Sequence, residues 1–93
     1  MPASFCKFVF PAGVSRRFVE DTVTAAVLLA EYVFSRSRAG IDAAWSVAGD
    51  PARCLIDVST PAGRYVAVTV FEILISLRGE RSFEIFKVDG WKH

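Results

Sequence analysis

Arg64 to Arg78, RYVAVTVFEILISLR, is the longest apolar run in the chain, and any fold the chain adopts has to bury it. The run is rich in Val and Ile, is bounded by Gly63 and Gly79, and carries Glu72 near its middle. It is too short and too charged to cross a bilayer. A β-branched run between turn residues predicts a long buried strand at the centre of a sheet.

The run belongs to a chain of 93 residues, which makes one domain, residues 1–93, and 53% of those residues are hydrophobic. A domain this small buries only a modest share of its surface on folding. So high an apolar content predicts that part of it meets a second subunit or a ligand. The formal net charge of +1 supplies no field to draw in phosphate backbones or anionic lipid. The absence of Asn and Gln removes two common base-reading side chains, and with twelve Ala it fits a GC-rich bacterial coding sequence. Cys6 and Cys54 stand alone, without a second Cys or a His at metal-ligand spacing, so both read as buried thiols of a reducing compartment. The first residues have no basic segment ahead of a long apolar core, which argues against a secretory signal and for a cytoplasmic protein. Neither a metal nor a cofactor is expected.

Phe5 to Phe10 alternates as a short strand, with Cys6, Phe8 and Phe10 on a strongly apolar face, and Lys7 on a face that is partly wet or at an edge. From Ser15 to about Arg36 the chain reads as one substantial helix, N-capped by Ser15. Its polar residues, among them Arg17, Glu20, Asp21, Thr24 and Glu31, form a narrow stripe into which Leu28 also falls. The remaining apolar arc is wider than one sheet face covers, and part of it is expected to meet a second subunit.

Ile41 to Ala48 and Arg53 to Ser59 read as strands joined by a turn at Gly49-Asp50-Pro51. The small side chains of Ala44, Ser46 and Ala48 suit a face that either receives a helix closely, the commoner case, or floors a shallow pocket. Thr60-Pro61-Ala62-Gly63 fits a hairpin turn that sets Val58 opposite Val66, Ile56 opposite Val68 and Cys54 opposite Val70. Past Val70 the alternation breaks, which predicts either that both faces are covered beyond this point or that a bulge near Phe71 and Glu72 swaps them. A turn at Gly79-Glu80 leads to a last strand, Ser82 to Asp89, with Lys87 across from Glu72, followed by a tail containing Trp91. The expected fold is α+β and two-layered: one long helix on a mainly antiparallel sheet of about five strands, in the order β-α-β-β-β-β. A β-α-β-β-α-β arrangement would need a second helix, for which only Ala39 to Ala48 offers room.

Glu72 stands out as a candidate acid or base, because a carboxylate inside an apolar strand has its pKa raised by desolvation. Lys87 across the hairpin would instead keep it ionised and structural. Arg16 and Arg17 open the helix, where an anion could be held, but one glycine is not a phosphate-binding fingerprint. His93, the single histidine, is the last residue and a weak catalytic candidate. Cys6 has only Lys7 beside it to activate a thiolate.

The leading expectation is a non-catalytic homo-oligomeric binding module, a dimer or larger, with a protein or small-molecule partner and no membrane contact. The alternative is a small enzyme or small-molecule binder with a pocket between helix and sheet. It would use Glu72 as acid or base, Arg64 or Arg78 as anion anchor, and Trp45 or Tyr65 as wall, with Lys87 as a further ligand-binding residue. A weaker one is nucleic-acid contact through Arg16, Arg17, Arg36 and Arg38.

Overall fold

The computed structural model describes residues 4–34 and 44–89. Their order is β1 (Ser4–Val9), α1 (Arg16–Val33), β2 (Trp45–Ala48), β3 (Arg53–Asp57), α2 (Pro61–Arg78) and β4 (Glu84–Asp89), with a single 3-10 turn at Glu80–Ser82. The strands form one antiparallel sheet in the order β2-β3-β1-β4. The class is α+β, with two helices on a four-stranded sheet and the split β-α-β connectivity called ferredoxin-like.

The apolar run from Arg64 to Arg78 is not a central strand but most of α2. Its buried residues Ala62, Val66, Val70 and Leu74 recur every four positions, with Gly63 and Ala67 beside them, so a helix buries one stripe and leaves the rest outside. Local chemistry supports that outcome. The Thr60 side chain accepts a hydrogen bond from the Gly63 N–H at 3.0 Å, and Pro61 occupies the first turn, where its missing N–H costs nothing. Gly79, at φ 86°, ends the helix. The segment Thr60 to Gly63 is therefore a helix start and not a hairpin turn, and no bulge occurs at Phe71 and Glu72. The intrinsic cost of Val and Ile in a helix is a few tenths of a kcal/mol per residue, roughly, and tertiary burial overrides it.

With α2 in place, the expected hairpin pairs dissolve. β3 pairs with β1 and β2, and β4 pairs with β1, placing Lys87 opposite Cys6 and Ile85 opposite Phe8. The second helix of the described residues is thus the run taken as a strand; of Ala39 to Ala48, residues 44–48 are described and 45–48 form β2, and the rest lies outside the described residues.

The other elements fall close to their expected places. Ser15 caps α1 by accepting from the Phe18 N–H at 3.1 Å, and the helix is described to Val33; Arg36 lies outside the described residues. The core is built on the face of Cys6, Phe8, Phe10, Cys54 and Ile56, which meets Val19, Val23, Ala26 and Ala30 of α1 and the buried stripe of α2. Lys7 lies on the other face of a central strand, half-buried, and not at an edge. On β2 the side of Trp45 and Val47, which stand opposite Ile56 and Cys54, packs on the core beneath α1 and α2, whereas Ser46 and Ala48 stand opposite Leu55 and Arg53 on the other face of the sheet. α1 and α2 thus pack over the large aromatic and the Val and not over these small residues.

Candidate functional site

Two hollows flank α2, one on each side. The first, about 270 Å³, is a groove between the first half of α2 and the edge strand β4. Cys6 and Val58 contribute to its floor, Ala67 and Val68 come from the helix, and Ile85 and Phe86 come from the strand. Arg64 and Lys87 are the charged side chains lining it, one from each wall.

The groove follows from how α2 is seated. Asp57 folds the β3–α2 connection by accepting hydrogen bonds from the Ser59 N–H, at 2.8 Å, and from the Ser59 hydroxyl. Gly63, in the first turn of α2, then packs directly on the Asp57 carbonyl, where a Cβ would collide with backbone. The start of α2 is thereby pressed onto the end of β3, and the space over β4 stays open. Arg64 Nη1 donates to the Val58 carbonyl at 3.4 Å, which holds its guanidinium near the groove. Burial pushes the Cys6 thiol above its ordinary pKa, and burial with help from Cys6 pushes the Cys54 thiol up to about 12. Both thiols therefore stay protonated and neutral at physiological pH; Cys54 is buried as expected, whereas Cys6 is half-buried and lines the groove.

The second hollow, about 380 Å³, lies on the outer surface between the helices, lined by Leu29 of α1 and by Thr69, Glu72, Ile73, Ser76 and Leu77 of α2. Glu72 is exposed there. It is neither inside a strand nor across from Lys87, so it is not the strand-buried carboxylate the sequence suggested. Phe71, its neighbour, packs edge-on against Phe83 with ring centroids 5.9 Å apart.

The remaining candidates are dispersed. Tyr65 packs edge-on against Phe34 at 5.6 Å, Trp45 packs on the core from β2, and the Arg78 guanidinium lies 4.4 Å over the Phe18 ring at the far end of α2. These contacts tie α1 to α2 at both ends, and none of the three residues lines the α2–β4 groove. Arg17 faces Asp21 at 3.9 Å, and Arg16 lines a third hollow with Ser15, Gly49 and Asp50, whose carboxylate opposes anion binding. Arg38 and His93, like Arg36, fall outside the described residues, as does Trp91.

Sequence reasoning did name Arg64 and Lys87, but it missed Val58, Ala67, Val68 and Ile85 as partners in one groove. The signal that could have found them was the helix-start chemistry at Thr60 and Pro61, which puts Arg64, Ala67 and Val68 on neighbouring turns of one helix face. Among the described residues no group of three or more His, Cys, Asp or Glu side chains could hold a metal ion, and no helix is long and apolar enough to cross a membrane. Fold and surface together define a two-layer α+β domain with an apolar helix face and an apolar edge groove. No protein-family model matches the chain, and no curated protein and no solved structure matches it either.

Proposed function

We propose that the chain is a non-catalytic interaction module that works as a homo-oligomer, its outer helix face meeting that of a second copy. The observation that carries this reading is the change of character along α1. Its first half shows Arg16, Arg17, Glu20, Asp21 and Thr24 to solvent; its last turns show Leu28 at 61% exposure, Leu29 at 49%, Tyr32 at 89% and Val33 at 55%. Leu77 of α2, 64% exposed, extends this patch across the interhelical hollow. Single exposed apolar residues are ordinary, but a contiguous cluster of this kind marks a contact surface. A two-fold arrangement lets the same patch serve both partners, with Leu29 and Leu77 of one copy seated in the hollow of the other.

Light scattering over a dilution series tests the reading. The expected result is a dimer or larger assembly at micromolar concentration that the double substitution Leu28→Glu, Tyr32→Glu converts to a monomer with unchanged circular dichroism. A native chain that is monomeric throughout the series overturns it.

A further inference from the structure

The α2–β4 groove has a chemistry that association through the outer helix face leaves unused. Its walls are carbon, and among the described residues the charged groups lining it are the cations Arg64 and Lys87, with no carboxylate. The two cations come from different elements, α2 and β4, and therefore approach the slot from opposite sides. Neither is held in an ion pair among the described residues, where the pair formed is Arg17 with Asp21. The carbonyl of Val58 takes one long bond from Arg64 and leaves the other guanidinium donors available. The Cys6 thiol adds polarizable, uncharged surface. An apolar slot between two unpaired cations is complementary to a molecule with an apolar body and an anionic head.

We propose that this groove binds a small apolar monocarboxylate, its hydrocarbon body against Ala67, Val68 and Ile85 and its carboxylate between Arg64 and Lys87. The groove volume of about 270 Å³ sets the size class. Ligand sites commonly run from about 300 to 1,000 Å³, so this one suits a medium-length chain or a single ring and not a nucleotide or a long-chain lipid. The carboxylate suits the Arg64 fork, which can grip both oxygens at once. Because the groove lies on the side of α2 away from the α1 patch, the proposal does not depend on the oligomeric state.

The experiment is a titration of the full chain with n-octanoate, octan-1-ol and octylammonium, followed by calorimetry and by amide shifts in NMR. Octanoate is expected to shift the amides of Ala67, Val68, Ile85 and Lys87, and to bind at least about tenfold more tightly than the alcohol or the cation. Arg64→Ala with Lys87→Ala is expected to remove that tenfold preference while leaving octan-1-ol binding unchanged. Val68→Trp, which adds bulk at an exposed position of the groove wall and so leaves folding intact, is expected to abolish binding. Absence of octanoate binding, equal binding of the three compounds, or shifts confined to the interhelical hollow each overturn the proposal. Light scattering on the same samples reports self-association separately.

Discussion

Along β2 all four residues are half-buried, whereas along β4 five of six are exposed, although both are edge strands of one sheet. The β2 edge turns Trp45 and Val47 inward against the core. The β4 edge has Ile85 and Lys87 at the equivalent inner positions, and a groove lies over them. The difference traces to how α2 sits: Gly63 lets its first turn drop onto the end of β3. A single missing Cβ thus helps decide which edge is sealed and which is available. An exposed edge invites pairing with other chains, and β4 carries Glu84, Lys87 and Asp89, charges of the kind that discourage it. An edge protected in this way can keep an open groove without adding strands from other molecules.

The contrast between a closed centre and an open edge is sharpest in paired truncations. Phe8→Ala, at the fully buried centre of β1, is expected to cost about 3 to 5 kcal/mol, a large part of the stability of a domain this size. Ile85→Ala, its register neighbour on β4, is expected to cost less than about 1.5 kcal/mol, because the side chain is 41% exposed and part of its contact is already missing. Urea midpoints at constant slope give both values. Equal costs would show that the β4 groove is closed in solution and break the comparison.

A smaller effect should appear in alkali. The folded chain holds the Cys54 proton up to about 12, while the unfolded chain releases it from about 9.0 upward. The unfolded state therefore gains on the folded one as pH rises. Stability contributed by this thiol is full below pH 9 and declines from there towards 12. Cys6, also raised, adds in the same direction. Urea midpoints between pH 8 and 11 should fall, and fall less steeply in Cys54→Ala. A fall of equal slope in that variant would show that the thiol is not buried as described.

The smallest expected effect is at Glu72. On the exposed face of α2, Glu72→Gln should change stability by no more than about 0.5 kcal/mol, measured by thermal melting. A loss several times larger would show that the outer helix face holds a carboxylate contact, as a second subunit could provide.

Local patterns made β1, α1 and the strand pair around Gly49 readable in advance. Each is a short segment whose caps, turns and alternation act within a few residues. The same holds, in hindsight, for α2. Its fifteen-residue apolar length exceeds an ordinary strand, and Thr60, Pro61 and Gly79 are helix punctuation. Uniform apolarity hid the period, because every spacing finds a hydrophobic partner in such a run.

The chain by itself determined an α+β class, an apolar face on β1 beneath a capped helix, and more hydrophobic surface than one small domain hides. Only the tertiary structure decided that β4 returns to the far side of β1. That placement brings Lys87 to Arg64 and leaves Glu72 on the outside. The physical reason is range: caps and turns are settled between neighbours, but strand order depends on which distant surfaces bury the most carbon once both helices are in place.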